Sequence, residues 1–299
     1  MSRYFIDAGS STVKTYSLDN GVLDLIDERS ILFKDGFVKG QGVSPENLEK
    51  LFSYFSELSG RLGLSAENAE IYATGIWREI PEAQAELTRR KIRDSANGVL
   101  FGIISHADEA RYLKQAADMD FGGKKVMVVN MGGKTTEIVS AGEGESGAKL
   151  LNVGVAELLN RFPSVNAPVS GASPGEMEGF VREKLEGVDF DRDYDFALFT
   201  GELRFEKLSG YPLSANKMFD DANHPFMLSL DDFVRGTNRI FYDLTMDELR
   251  ALMPKNPDWM TGARPGAILP LAVFRKAGIK IIVPSDINLV NGVIKGRIP

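Results

Sequence analysis

Two short stretches of the sequence combine glycine, small hydroxyl side chains and strand-like flanks, which together suit the binding of a phosphate group. The first stretch reads IDAGSSTVK from residue 6, and the second reads NMGGKTTEIV from residue 130. Placing Asp7 on Asn130 aligns Gly9 with Gly132. In a tight glycine turn, successive backbone N–H groups and nearby hydroxyls can surround an anion. We therefore predict two related phosphate-binding loops, against the alternative of two ordinary glycine hairpins.

The residues of these two loops that we assign to phosphate binding are Gly9, Ser10, Ser11, Gly132, Gly133, Lys134, Thr135 and Thr136. The Gly-Lys-Thr run in the second loop also occurs in Walker A nucleotide sites. That motif needs a glycine at position 128 and a helix after the threonine. Because Val128 stands there and a strand is predicted to follow, we exclude a P-loop nucleotide site.

Arg78 is a further candidate for phosphate binding, because it follows a short predicted strand and a glycine. The planar guanidinium group can donate to two phosphate oxygens at once. The structural alternative is a surface ion pair with Glu79 or Glu82. Both interpretations place the arginine just beyond the end of a strand.

Composition narrows the possible functions of the chain. Its 299 residues include no cysteine and two histidines, which disfavours zinc–thiolate chemistry and Ser-His catalysis. A formal net charge of −7 argues against a general nucleic-acid-binding protein. No stretch approaches the roughly 20 apolar residues of a membrane span, and the first residues lack a signal-peptide core. We expect a cytoplasmic globular protein.

The elements that must position these residues occur in the same order twice. Apolar alternation and turn residues predict strands at 4–8, 13–18, 22–26, 69–73 and 99–104, with helices at 45–62, 81–97 and 107–117. The second half predicts strands at 126–131, 135–139, 149–153, 194–199 and 280–283. Its helices are predicted at 155–162, 175–185, 231–241, 246–253, 264–277 and from 286 onward. We predict two domains, 1–122 and 123–285, with a last helix at about 286–299 that packs back on the first.

The segments around the candidate residues resemble, in order along nearly the whole chain, the exopolyphosphatase and guanosine pentaphosphate phosphohydrolase (Ppx/GppA) family of the actin, sugar-kinase and Hsp70 superfamily. The similar segments are IDAGSS at 6–11, ATGIWRE at 73–79, ISHADEAR at 104–111, NMGGKTTE at 130–137, RPGAILP at 264–270 and SDINLVNGV at 285–293. The resemblance implies an α/β fold of two ribonuclease H-like (actin-like ATPase) domains facing a central cleft.

The resemblance also implies roles for individual residues. Asp108 matches the position of a carboxylate that acts as general base on the attacking water, and Glu109 is its neighbour. Glu137 matches a glutamate that orients water or holds a metal ion, and Asp7 is the matching metal ligand in the first loop. Arg264 is implied to bind phosphate from the second domain. The catalytic candidates are therefore the two acids at the start of the third helix, together with Glu137.

Several positions depart from the family pattern. Asn130 stands where the family has an aspartate, and Lys134 stands where it has a glycine. Gly266 replaces a later aspartate, and the family's T-G-G-T segment is reduced to TGEL at 200–203. These changes are consistent with an altered substrate, with weaker dependence on a metal ion, or with the loss of catalysis.

Three functions follow as hypotheses. The first is a phosphohydrolase that releases terminal phosphate from polyphosphate or a polyphosphorylated guanosine nucleotide by metal-assisted attack of water in the cleft. The others are a phosphate-ligand-binding protein with weakened catalysis, and a nucleotide-dependent ATPase or kinase of the same superfamily. The expected cofactor is Mg²⁺ or Mn²⁺. The expected partners are polyphosphate or a phosphorylated nucleotide, with no nucleic acid and no membrane; a homodimer is left open.

Overall fold

The computed structural model describes residues 2–117, 121, 123–141, 147–167, 171–190, 193–200, 208–210, 212–221, 223–254 and 257–296. The chain divides into two compact units. The first consists of Met1–Glu109 with Leu289–Asn291, and the second of Ala110–Asn288 with Gly292–Pro299.

The first unit is built on a mixed sheet of five strands among the described residues, in the order β3-β2-β1-β4-β5. The strands are β1 Arg3–Ala8, β2 Thr12–Asp19, β3 Val22–Ser30, β4 Ala69–Ala73 and β5 Phe101–Ile103. β1 pairs antiparallel with β2 and parallel with β4, and β4 pairs parallel with β5. The turn between β1 and β2 therefore lies beside the carboxyl end of β4, where Thr74 and the residues after it begin.

Two helices cover this sheet, and their sequences explain their ends. Helix α1, Pro45–Leu62, begins with Ser44 accepting a hydrogen bond from the Asn47 N–H and ends at Gly63, whose φ of 64° is left-handed. Its buried face carries Leu48, Leu51, Tyr54, Phe55 and Leu58. Each fully buried side chain of this kind contributes roughly 1.5–3 kcal/mol to folding. Helix α2, Glu82–Ser95, follows on the same unit.

The second unit repeats this topology in its own sheet and extends it. Among the described residues, seven strands run in the order β10-β11-β12-β9-β6-β7-β8. They are β6 Val126–Met131, β7 Thr136–Ala141, β8 Ala148–Leu151, β9 Phe196–Thr200, β10 Ser214–Ala215, β11 Phe226–Ser229 and β12 Ile281–Ser285. The antiparallel set β6, β7 and β8 and the parallel pairs β6–β9 and β9–β12 match the five strands of the first unit. The repeat predicted from the glycine turns is thus present in the strand order of both units.

The helices of the second unit enclose a large apolar core. One of them, α8 at Ala263–Ala277, is buried along almost its whole length. The helices and helical turns are α3 His106–Ala117, α4 Val155–Arg161, the 3₁₀ turn Pro163–Asn166, α5 Pro174–Lys184, α6 Leu230–Asn238, the π turn Arg239–Asp243, α7 Met246–Ala251, the 3₁₀ turn Pro257–Gly262, α8 Ala263–Ala277 and α9 Leu289–Lys295. Helices α3 and α9 each contribute residues to both units. No helix in the described part of the chain is both long enough and apolar enough for a membrane crossing.

Two expectations about the organisation differ from the structure. The division between the units falls within α3, before the predicted boundary at 122, because Leu113, Ala116 and Ala117 pack in a cluster with strand β6. Strands β10 and β11 were not predicted. With two and four residues they are too short to show a period in the sequence. Of the last helix, Leu289–Asn291 group with the first unit.

Candidate functional site

The first glycine turn joins β1 to β2 and is closed by a single backbone hydrogen bond. The Gly9 N–H donates to the Thr12 carbonyl at 2.9 Å, so this group is used by the turn itself. Among the described residues, nothing accepts from the backbone N–H of Ser10 or Ser11. The Ser11 hydroxyl is buried and likewise has no hydrogen-bond partner among the described residues. Ser10 and Ser11 thus carry the donors of this loop that are left for a ligand.

The segment after β4 holds this turn in place. The Ile76 N–H donates to the Ser10 hydroxyl at 2.9 Å, and the Trp77 indole N–H donates to the Gly9 carbonyl at 3.2 Å. Gly75 makes this approach possible, because its φ is 61° and an added Cβ would lie 2.2 Å from the Ser10 hydroxyl oxygen. A glycine is therefore required at position 75 both for its backbone conformation and for its lack of a side chain.

Arg78 follows directly and forms an ion pair within the first unit. Its Nη1 lies 2.7 Å from Glu109 Oε2 and 3.3 Å from the Ile104 carbonyl, and both charged side chains are about nine-tenths buried. Its Nε and Nη2 are also buried but have no acceptor among the described residues. A buried guanidinium normally has its donors satisfied. One edge of Arg78 is held by protein, and the other presents two donors in the geometry that suits phosphate.

Asp7, at the end of β1, is an acid in an unfavourable place for a charge. Its Oδ1 is buried without a partner among the described residues. Burial raises the pKa of Asp7 from 3.8 to about 7; Lys14, across the strand pair, lowers it, and the charge of Glu109 raises it further. A nearby cation would favour the ionised form of this carboxyl.

The start of α3 separates the two predicted catalytic acids. Asp108 accepts a hydrogen bond from the Ser105 hydroxyl at 2.7 Å, and its own N–H donates back to Ser105 Oγ at 3.0 Å. This arrangement caps the helix. Glu109, one residue later, is buried against Arg78. His106 is the first residue of α3, and its buried Nδ1 has no hydrogen-bond partner among the described residues. Burial and the charge of Arg78 lower the pKa of His106.

The second glycine turn joins β6 to β7 and closes in the same way as the first. The Gly132 N–H donates to the Thr135 carbonyl at 2.7 Å, while the N–H of Gly133 has no acceptor among the described residues. The carbonyls of Gly132 and Gly133 accept from the first N–H groups of α4 at 3.1 and 2.7 Å. Gly154 lets the turn and the helix approach, since a Cβ there would lie 2.5 Å from the Gly133 carbonyl carbon. Lys134 occupies the tip of this turn.

Glu137 is held inside the second unit by two neighbours. Its Oε1 accepts from the Thr135 hydroxyl at 2.7 Å, and its Oε2 accepts from the Asn130 amide at 3.1 Å. The side chain is almost wholly buried, with a residue exposure of 2%. Thr135 and Glu137 therefore lie on one face of the strand pair, as the two-residue period of a strand requires. The acid is oriented by an amide and a hydroxyl.

Comparison with solved structures finds the same architecture in proteins of known family. An exopolyphosphatase-like protein superposes with a TM-score of 0.78 at 18% identity, covering 99% of this chain and 97% of that one. An exopolyphosphatase from Cytophaga hutchinsonii gives 0.76 at 17% identity, covering 98% and 96%. The Aquifex aeolicus PPX-GPPA enzyme gives 0.69 at 18% identity, covering 99% of both chains. This chain has the Ppx/GppA fold.

The likeness confirms the predicted fold of two ribonuclease H-like domains. No protein-family model matches the sequence, and no curated protein matches it. At these identities the superposition shows the fold alone. The contacts of each side chain in this protein indicate its role.

Two predicted phosphate-binding residues have other roles in the structure. Arg264 is fully buried, and its guanidinium donates to the carbonyls of Val165, Ala167, Ile240 and Leu244. It ties two backbone segments of the second unit together, 165–167 and 240–244, which leaves it no part in an exposed anion site. Thr136 is also fully buried and donates its hydroxyl to the Val153 carbonyl at 2.7 Å. Neither Arg264 nor Thr136 is placed to bind phosphate.

Sequence reasoning missed the contribution of Thr200, at the end of β9. Its hydroxyl donates to Asn130 Oδ1 at 2.8 Å and so fixes the amide beside Glu137. The rest of the TGEL segment, 201–203, lies outside the described residues. The resemblance had directed attention to the missing glycines of that segment, and no sequence pattern marked the threonine itself.

His224 lies between two polar side chains near the end of β12. Its Nδ1 lies 2.9 Å from Asp221 Oδ2, and its Nε2 lies 2.7 Å from Ser285 Oγ. These are the contacts of a Ser-His-Asp triad. Ser285 has no exposed surface, however, and its Oγ also accepts from the Ile287 N–H at 3.1 Å. The three residues form a hydrogen-bonded network at the end of β12, in which His224 and Ser285 are buried.

Proposed function

We propose that the chain is a phosphohydrolase that releases terminal phosphate from polyphosphate or from a polyphosphorylated guanosine nucleotide. The Ppx/GppA fold makes this class the first to consider. The observation that carries the proposal is Arg78, a buried cation with one edge paired to Glu109 and two further donors that have no acceptor among the described residues. Phosphoanhydride hydrolysis depends mainly on positioning and charge neutralisation, which such a group supplies.

In this proposal the first loop and Arg78 bind the terminal phosphoryl group. The N–H groups of Ser10 and Ser11 and the free edge of Arg78 donate to its oxygens. The second loop, with Gly133 and Lys134, supplies further donors to the same ligand, as the sequence resemblance implies. Both sets of donors then lower the cost of the charge that develops on the transferred group.

Glu109 is the residue we assign to the attacking water. It accepts the water proton while the water oxygen bonds to the terminal phosphorus and the bridging P–O bond breaks. The leaving chain then takes a proton from solvent. We prefer Glu109 to Asp108 because the carboxylate of Asp108 is used to cap α3, whereas Glu109 is fixed by Arg78 at the phosphate-binding edge.

A divalent cation fits one of the two predicted metal ligands. Asp7 has a buried oxygen without a partner in the described part of the chain and a pKa raised to about 7, so Mg²⁺ or Mn²⁺ beside it would restore its charge and neutralise phosphate oxygens. Glu137 fits poorly, because each of its oxygens already accepts a hydrogen bond from a neighbour. We therefore propose Asp7 alone as the protein ligand.

The second candidate function is a protein that binds phosphate ligands without turnover. It is favoured by Asn130, which replaces an acidic position of the family pattern with an amide. A kinase or ATPase of the same superfamily has less support, because the segment expected to bind its nucleotide reads TGEL at 200–203 and is not a glycine-rich loop.

The proposed function is tested by measuring orthophosphate release from short-chain polyphosphate, guanosine pentaphosphate and ATP, with Mg²⁺ or Mn²⁺. Glu109→Gln is expected to lower kcat by roughly 10²–10⁴-fold, because the general base is lost. Asp108→Asn is expected to stay within a few-fold of the wild type. The matched control is Glu82→Gln, an exposed acid at the start of α2 that also pairs with an arginine.

Release that Glu109→Gln leaves unchanged would exclude the proposed base. Tight binding of polyphosphate without any release by the wild type would favour the binding protein. Preferential release from ATP over polyphosphate would favour the kinase or ATPase class. The three hypotheses thus predict different substrates or different turnover with the same samples.

A further inference from the structure

Asn130 and Glu137 lie directly opposite each other in the antiparallel pair of β6 and β7. Opposite residues of such a pair project on the same face, with their Cβ atoms about 4.5–5.5 Å apart. Their side chains meet through the hydrogen bond from the Asn130 amide to Glu137 Oε2 at 3.1 Å. Two carboxylates at these positions would repel each other unless a cation or a shared proton joined them.

The orientation of the Asn130 amide follows from its two neighbours. Its Oδ1 accepts from the Thr200 hydroxyl at 2.8 Å, while its Nδ2 donates to Glu137. The reversed amide would place a carbonyl oxygen against the carboxylate, which is unfavourable. Thr200, Asn130, Glu137 and Thr135 thus form a chain in which Glu137 receives hydrogen bonds from both sides.

The first unit provides an internal comparison. Its turn has the same register, and there Asp7 lies opposite Lys14 in the pair of β1 and β2. The positive charge of Lys14 favours the ionised form of Asp7 and acts against the larger cost of its burial. In both repeats, therefore, one carboxylate faces a residue that can stabilise its charge. The first repeat uses an ammonium group, and the second uses an amide.

We infer that Asn130 is a positioning residue that takes the place of a divalent cation beside Glu137, so that the second loop holds its buried carboxylate without bound metal. Thr200 fixes the direction of the amide, and Thr135 holds the other oxygen. The acid is thereby oriented as an acceptor at the base of the second loop. This inference concerns how Glu137 is held and does not rest on hydrolysis.

The inference predicts that a single substitution creates a metal site. In Asn130→Asp, a half-buried carboxylate faces the buried carboxylate of Glu137, and a divalent cation is the partner that oxygen ligands of this kind favour. Because Asp7 is itself proposed to bind a cation, the comparison is made in its absence, with Asp7→Asn and Asp7→Asn/Asn130→Asp. The probe is Mn²⁺ alone, without a phosphate ligand.

We expect the double variant to gain one Mn²⁺ site by calorimetric titration, and its melting temperature to rise by roughly 5 °C at about a hundred times the dissociation constant. The single variant Asp7→Asn, which retains Asn130, is expected to show neither effect. The inference is overturned if Asp7→Asn binds Mn²⁺ and Glu137→Gln abolishes that binding, or if the folded double variant gains no site. Circular dichroism establishes that each variant is folded.

A swap of the two side chains tests the same idea without metal. Glu137→Gln alone places two amides opposite each other and is expected to lower the melting temperature. Adding Asn130→Asp restores one acid and one amide with the roles reversed, since the Thr200 hydroxyl can still donate to the new carboxylate. The swapped protein is expected to recover at least half of the loss, in the presence of a chelator. No recovery would contradict the inference, even if Asn130→Asp alone fails to fold.

Discussion

The buried carboxyl of Asp7 makes the stability of the first unit depend on pH in a predictable direction. Its pKa is about 7 in the folded protein and 3.8 in an ordinary environment. Because the folded state binds this proton more tightly, the free energy of unfolding falls as the pH rises from about 4 to about 7. Above pH 7, the ionised Asp7 lowers the free energy of unfolding by its full amount. The substitution Asp7→Asn removes the titrating group and should abolish this dependence.

The size of the effect follows from the difference between the two pKa values. Three pKa units correspond to about 4 kcal/mol, and since the side chain keeps some contact with water we expect about half, ~2 kcal/mol. Relative to the wild type, Asp7→Asn should therefore gain ~2 kcal/mol in the free energy of unfolding between about pH 4.5 and about pH 8. Added Mg²⁺ should recover much of this loss in the wild type and have no such effect in the variant.

The measurement needs a signal from the first unit alone, because a chain with two units need not unfold in one step. The protein has two tryptophans. Trp77 lies in the core of the first unit, with ring centroids 4.7 Å from Phe33 and 5.0 Å from Phe101. In a Trp259→Phe background, the fluorescence of Trp77 during urea unfolding reports on that unit. A difference between wild type and Asp7→Asn that stays constant with pH would refute the reasoning.

Two further substitutions test the structure around the sites. Gly154→Ala places a Cβ 2.5 Å from the Gly133 carbonyl carbon, so it should cost about 1–3 kcal/mol in urea unfolding, whereas Gly179→Ala, in open space on α5, should cost nothing. Arg264→Lys loses a planar group that donates to four carbonyls and should cost about 3 kcal/mol or more, against less than about 1 for the exposed Arg250→Lys. Equal costs within either pair would contradict these roles.

The fold was predictable because its signals are local and repeated. The strand β4 was predicted with its observed ends, and α1 was predicted with its observed range of 45–62. The duplicated glycine turn predicted two related halves, and the two sheets share one strand order. Where prediction failed, as for the two-residue strand β10, the element is stabilised by its neighbours and leaves no period in the sequence.

The candidate site was predictable only in part, because motifs do not reveal which partner a side chain finds. Arg264 and Arg78 both matched family positions, yet Arg264 is buried among carbonyls, whereas Arg78 keeps two donors for which the described residues offer no acceptor. Asp108 and Glu109 are adjacent in the sequence, but the helix turns one back to its own cap and the other toward Arg78. These outcomes depend on long-range contacts that spacing along the chain does not encode.

The most direct test of the central claim is hydrolysis of tripolyphosphate in ¹⁸O-labelled water, with the released orthophosphate analysed by mass spectrometry. Water attack at the terminal phosphorus predicts one ¹⁸O atom in each orthophosphate and none in the remaining diphosphate. Glu109→Gln should slow the labelling together with the release. Label in the diphosphate, or no release by the folded wild type with Mg²⁺ or Mn²⁺, would contradict the proposed reaction.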